Sequence, residues 1–170
     1  MSGTCWNFLT CLDLYKKRNI THNTKRGRIH MQITRQADYA LRAMIYLAQL
    51  DPTQRAATSQ IAEEQRIPPS FLAKIISQLS IAGLIHTSRG ARGGVSLARS
   101  PEEISILEVV EAIDGPIALN ECTESPTGCP FGEDCMLRPL WCDAQVQLVE
   151  RLRNTSFSQF VPKALSSTTA

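Results

Sequence analysis

Apolar residues recur at helical spacing along ADYALRAMIYLAQL, where Ala40, Ala43, Met44 and Leu47 share one face. That pattern predicts a helix over 37–50, ended by Asp51-Pro52. A short second helix is expected up to Gln65, capped by Thr58 or Ser59, with Ile61 and Ala62 inward. Arg66-Ile67-Pro68 makes a turn, and Pro69 suits the first turn of a third helix, where its missing N–H has no helical partner to lose. Leu72, Ile75, Ile76 and Leu79 form the buried stripe of this helix, which runs to Ala82 and stops at Gly83. Ser70, Lys74 and Ser77 fall on another face, with Phe71, Ala73 and Gln78 beside them.

The pattern then shortens to two β-like segments, LIHTS at 84–88 and VSLA at 95–98. Gly90, Gly93 and Gly94 lie between them and permit a tight reversal, whose tip presents Arg89 and Arg92 outward. Ser105 and Glu108 form a capping box for a fourth helix, with Ile104 placed to staple against Val109; Asp114-Gly115-Pro116 ends it. A last helix is expected over roughly 138–154, with Leu137, Leu140, Trp141, Ala144, Leu148 and Leu152 as an apolar stripe. Pro139 is tolerable there because it sits in the first turn. The predicted fold is mainly α: a winged helix-turn-helix module, residues 31–115, followed by a cysteine-rich loop, 116–136, and a long C-terminal helix with its end segment, 137–161. A basic arm, 1–30, lacks periodicity and reads as disordered or as an upstream extension of the reading frame; a flexible tail covers 162–170.

Charge is distributed unevenly. Residues 1–30 carry six Lys/Arg and one Asp, residues 31–100 eight Lys/Arg and four Asp/Glu, and residues 101–170 four Lys/Arg and eleven Asp/Glu. The middle module is therefore net +4 and the C-terminal part net −7, although the whole chain is only +2. A basic module that presents a helix and an arginine-bearing wing suits DNA, with Ser70, Phe71, Lys74 and Ser77 on the reading face and Arg89 and Arg92 for phosphates or a minor groove. A solvated face is the bland alternative for Lys74. With no apolar run near ~20 residues and no signal-peptide pattern, neither a membrane span nor secretion is expected. The cysteine usage suits cytoplasmic thiols rather than disulfides.

Four cysteines, Cys122, Cys129, Cys135 and Cys142, fall within 21 consecutive residues, separated by six, five and six positions. The segment CTESPTGCPFGEDCMLRPLWC buries little apolar surface, so something other than packing should order it. Gathered thiolates are soft ligands for an iron–sulfur cluster or zinc. Zinc sites usually contain a close pair such as C-x₂-C, and none occurs here. A metal-free thiol switch is the remaining alternative.

MQITRQADYALRAMIYLA, the IPPSFLAKIISQL helix, the RGARGGVSLA wing and the cysteine loop together resemble the IscR/NsrR family of bacterial transcriptional regulators, of the Rrf superfamily, over about residues 31–161. The resemblance implies a homodimeric regulator, read as a repressor, whose long C-terminal helices pair and which binds a pseudo-palindromic site in double-stranded DNA. It implies that Cys122, Cys129 and Cys135 ligate an iron–sulfur cluster, [2Fe–2S] or [4Fe–4S]. Family spacing is five and five; here the first gap is six. In the IscR type the fourth ligand is a histidine at the position of Arg138, which cannot ligate. In the NsrR type it is an aspartate from the partner subunit, matching Asp38; Cys142 is the second candidate. Asp38 has a plain helical reading as well, in the first turn with Arg42 four residues on. Ala73 and Lys74 stand where some members carry glutamate and glutamine, which implies a different operator.

Catalysis is not expected. His22, His30 and His86 are scattered, and RGARGG opens onto a strand rather than a helix, so it is no phosphate-binding loop. No small-molecule substrate is implied. The competing class is a metal-binding redox adaptor without DNA affinity.

Overall fold

The computed structural model describes residues 33–90, 93–120, 123, 131 and 134–162. The basic arm, Arg92, Cys122, Cys129 and the tail from 163 lie outside the described residues. Among the described residues two compact units are formed, one from 33–117 with 149–162, the other from 118–148.

The larger unit is the helix-turn-helix. Its helices are α1 (Arg35–Ala48), α2 (Thr58–Glu64), α3 (Pro69–Ile81) and α4 (Ile106–Asp114), with β1 (Ile85–Ser88) and β2 (Gly94–Leu97) between α3 and α4. α1 begins two residues earlier than its apolar spacing suggests, because Thr34 caps it by accepting from Ala37 N. Thr34 is itself held by Asp114 at the end of α4, through its backbone N–H at 3.0 Å and its hydroxyl at 2.6 Å.

α2 starts at Thr58, earlier than a cap at Thr58 or Ser59 would set it, and neither of these is its cap. Ala57 occupies that position in extended backbone, with no side-chain cap. The reason is tertiary. Ala56 N donates to Val95 O at 3.0 Å and Val95 N to Ala56 O at 2.9 Å, which holds the chain extended up to the helix. Arg66, at φ 51°, takes the left-handed position after α2. Arg66 N to Glu63 O (3.2 Å) and Ile67 N to Ala62 O (2.9 Å) complete the Schellman pair usually built on glycine. Gly83 supplies the same motif after α3.

The wing pairs antiparallel in the register Ile85↔Leu97 to Ser88↔Gly94. Met44, Ile61, Leu72, Ile75, Leu79, Ile85, Val109 and Val110 are fully or almost fully buried in one core. Ser105 and Glu108 form the capping box, and Ile104 and Val109 are both fully buried. Phe157, in a 3-10 turn over Phe157–Phe160, fills the same core. Its segment is fastened to the start of α4 by Ile106 N to Thr155 O (2.9 Å) and Phe157 N to Ile104 O (3.1 Å).

Helix α5 (Arg138–Arg153) begins in the smaller unit and ends in the larger one. Pro139 sits in its first turn. Its apolar stripe is not buried within one chain: Leu137 and Leu140 are 59% and 58% exposed, and only Leu152 reaches the core cluster.

Candidate nucleic-acid interface and candidate metal centre

α3 divides its residues cleanly. Leu72, Ile75, Ile76 and Leu79 turn inward, while Ser70, Phe71, Ala73, Lys74 and Ser77 are exposed. Pro68 is the cap and Pro69 opens the helix, so its N-terminal end carries no side-chain cap bond. Ser70, Lys74, Ser77 and Ile81 fall at intervals of four, three and four and line one outer stripe. Ile81 is 85% exposed, an apolar residue on the polar face that the apolar spacing of the helix does not single out.

Arg89 is exposed just after β1; Arg92 lies outside the described residues. The turn is closed by Gly93 N donating to Gly90 O at 2.9 Å. A Cβ on Gly93 would meet the Ser88 carbonyl oxygen and stand 2.7 Å from Arg89 C, so this glycine is required by close approach.

The cations of this unit fall into two groups. Arg42 pairs with Asp38 at 3.0 Å and Arg99 with Glu108 at 2.7 Å. Arg55, Arg66, Lys74 and Arg89 are exposed and, among the described residues, make no ion pair. All four belong to the helix-turn-helix or its wing; Arg35, Arg151 and Arg153, elsewhere in this unit, likewise make no ion pair among the described residues. An interface for phosphates needs such uncompensated charge.

The helix-turn-helix is braced by α1. Gln36 Nε2 donates to Gln78 Oε1. Tyr39 and Phe71 meet edge to face.

In the smaller unit, Cys135 precedes α5 and Cys142 lies within it; both are free, half-buried thiols. Among the described residues no cluster of three potential metal ligands is formed. Arg138, at the position three after Cys135, is buried. The described residues on either side of Cys122 are tightly held. Thr123 N donates to Asn120 O at 3.0 Å, and the Thr123 hydroxyl to the same oxygen at 2.7 Å. Leu119 N donates to Gln145 Oε1 at 3.0 Å, and with the Asn120 amide turned over Trp141 Nε1 donates to its side-chain oxygen at 3.3 Å. The chain approaching Cys122 is thus clasped to α5, a set of partners that cysteine spacing alone does not reveal.

Asp38 lies in the first turn of α1 with its side chain 48% exposed. Its ion pair with Arg42 is the helical i,i+4 contact expected from sequence. Such an exposed pair contributes only about 0.3–0.5 kcal/mol, so it does not tie the carboxylate down.

The profile of the Rrf2 family, described as iron-dependent transcriptional regulators, matches residues 33–163. The chain belongs to the Rrf2 family. Rrf2 relatives include the HTH-type transcriptional regulator NsrR of Shouchella clausii, 33% identical over 132 residues that span 77% of this chain and 89% of that protein. The HTH-type regulator IscR of Klebsiella pneumoniae is 30% identical over 77% of this chain and 80% of its own length. Among solved structures, CymR, the global cysteine regulator of B. subtilis, superimposes with a TM-score of 0.64 at 27% identity, covering 76% of this chain and 95% of that one. An oxidized form of Staphylococcus aureus CymR superimposes with a TM-score of 0.59 at 28% identity, over 75% and 93% of the two chains. The winged helix-turn-helix fold and the resemblance read from sequence are therefore those of an Rrf2 DNA-binding transcriptional regulator, not an enzyme. The adaptor reading without DNA affinity falls with that membership. No helix among the described residues is long and apolar enough to cross a membrane.

Proposed function

We propose that this Rrf2 protein is a homodimeric repressor that senses redox state, nitric oxide or iron–sulfur status through a cluster held by Cys122, Cys129 and Cys135. The observation that carries this reading is the cysteine set: a half-buried free thiol at Cys135 against the start of α5, with two further cysteines upstream, in a family described as iron-dependent. The donor chemistry fits, since thiolates are the ligands iron–sulfur clusters take. When bound, the cluster supplies a redox- and nitric-oxide-reactive centre.

The chain's own residues do the rest. Asn120, Thr123, Trp141 and Gln145 orient the segment at 119–120 that precedes Cys122. The fourth ligand is either Asp38 of the partner subunit, half exposed and weakly paired, or Cys142. Arg138, a guanidinium with donors only, takes no part as a ligand. The exposed face of Leu137 and Leu140 serves the pairing of two α5 helices. On DNA, Ser70, Phe71, Lys74 and Ser77 read the major groove of each half of a pseudo-palindromic operator, while Arg89 and Arg92 hold phosphates beside it. Regulation requires that the loaded and empty forms differ in operator affinity.

The test is anaerobic purification from iron-replete cells, with iron and sulfide analysis, followed by duplex binding of holo and apo protein at matched salt. Iron with sulfide, absent from the triple Cys→Ser variant together with the affinity difference, is the expected result. Equal affinities would end regulation by the cluster. A second reading, a metal-free thiol switch, draws on the two free thiols at Cys135 and Cys142 and on the similarity to CymR, one form of which is described as oxidized. Iron-free protein whose DNA affinity changes on oxidation would establish it instead.

A further inference from the structure

Of the four uncompensated cations of the helix-turn-helix and its wing, Lys74 lies on the recognition helix, Arg66 in the turn before it and Arg89 beside the wing tip; Arg55 lies in none of these places. It lies in the connection from α1 to α2, two residues before the cap Ala57. Its neighbour Ala56 exchanges both backbone hydrogen bonds with Val95 of β2, so this connection forms a third rail beside the wing. The Arg55 guanidinium donates to the hydroxyl of Ser88, the last residue of β1 and the neighbour of Arg89. Opposite Ser88, a Cβ on Gly94 would stand 2.8 Å from the Ala56 carbonyl oxygen and 3.1 Å from Arg55 Cβ. The missing side chain at 94 is what lets Arg55 cross the base of the wing.

Arg55 is exposed, and among the described residues Ser88 is its only side-chain partner. One hydroxyl occupies one of the five N–H donors of a guanidinium and leaves the others for a further acceptor. In helix-turn-helix complexes the helix before the recognition helix crosses the sugar–phosphate backbone. Arg55 stands at the approach to that helix. A planar fork already held in place loses little freedom when it takes two phosphate oxygens.

We propose that Arg55 is a backbone-phosphate site of the DNA interface, oriented by Ser88 so that the wing base and the approach to α2 grip the same phosphate strand. The site carries no sequence information of its own; it fixes how α3 is set in the groove.

The proposal is tested with full-length protein and two duplexes, one recovered by selection from a random pool and one of random sequence, titrated over a range of salt. Arg55→Gln keeps a donor for Ser88 and removes the charge. The slope of log affinity against log salt should fall by about 0.9 for each phosphate that is no longer neutralised, with both duplexes weakened by the same factor. Arg55→Lys should keep the slope. Ser88→Ala leaves charge and core intact but frees the fork, so both duplexes should bind more weakly at an unchanged slope. An unchanged slope in Arg55→Gln means that the arginine only braces the wing, and overturns the proposal. If Arg55→Gln does not fold, Ser88→Ala decides alone, and unchanged affinity there overturns it. The proposal rests on the docking of α3 described above. Were that docking wrong, Lys74→Ala would be neutral as well; were only Arg55 misassigned, Lys74→Ala would still impair binding.

Discussion

Tyr39 meets Phe71 edge-on, with ring centroids 6.3 Å apart and planes inclined at 72°. The contact joins the first turn of α1, which carries Asp38, to the N-terminal end of the recognition helix. The Gln36–Gln78 hydrogen bond ties the same two helices together at a second point. Anything that pulls on the first turn of α1 therefore acts directly on α3.

Phe71→Ala should lower stability by at least the ~0.5–1.5 kcal/mol typical of an aromatic pair, read from thermal unfolding. If Asp38 is drawn toward a cluster in the partner subunit, the double variant Phe71→Ala/Gln78→Ala should keep its iron and lose most of the difference between holo and apo affinity. A full difference in that variant would show that the signal takes another route.

Lys74 is exposed at the centre of the outer stripe of α3. Lys74→Ala should reduce discrimination between selected and random duplex by about 1–3 kcal/mol. Equal losses on both duplexes would make it a phosphate contact, and no loss at all would move the reading face elsewhere.

Arg66 holds a left-handed backbone that side chains with a Cβ enter at a cost of roughly 1 kcal/mol. Arg66→Gly should therefore be neutral to stabilising, by up to about 1 kcal/mol in chemical denaturation, despite removing a large side chain. A clear loss of stability would mean that the side chain contributes more than the conformation costs.

Burial pushes the Glu108 carboxyl toward a higher pKa, but hydrogen bonds from the Ser105 backbone N–H, from Arg99 and from the Ser105 hydroxyl, together with the Arg99 charge, outweigh it and hold the pKa below the ordinary value. A carboxylate depressed in the folded state stabilises above its unfolded pKa and loses that contribution as pH falls through the folded one. Stability of the wild type should thus drop below about pH 5 more steeply than that of Glu108→Gln, which can keep the capping box without the charge. Parallel curves across the acid range would show that Glu108 is not a source of acid sensitivity.

Phe157 is fully buried among residues of α1 and α4, far along the chain from either. Phe157→Ala should cost about 3–5 kcal/mol in urea unfolding and weaken DNA binding only through loss of fold. A cost below about 1 kcal/mol would place the phenylalanine outside the core.

The stripes of α1 and α3 were legible because each helix buries one face, and burial writes its period into the chain. Ser105 and Glu108 were legible for a similar reason, since a capping box is a local device. The cap of α2 was not legible. Thr58 and Ser59 are the better capping residues, yet Ala57 takes the position because Ala56 is paired with Val95, far along the chain. Arg66 in a glycine position, the Asn120–Thr123–Trp141–Gln145 clasp and the Arg55–Ser88 bond were equally hidden. Each joins groups whose meeting no periodicity records.

By itself the chain's order of residues determined the helices, the glycine-tipped wing, the gathering of cysteines near α5 and the likeness to Rrf2 regulators. These follow from period, capping and spacing, which act between near neighbours. Tertiary structure alone decided that Phe157 closes the core, that α1 is bolted to α3, and that Arg55 lies across the wing base. Such contacts depend on which distant surfaces exclude water together, and that is settled only once the chain has closed on itself.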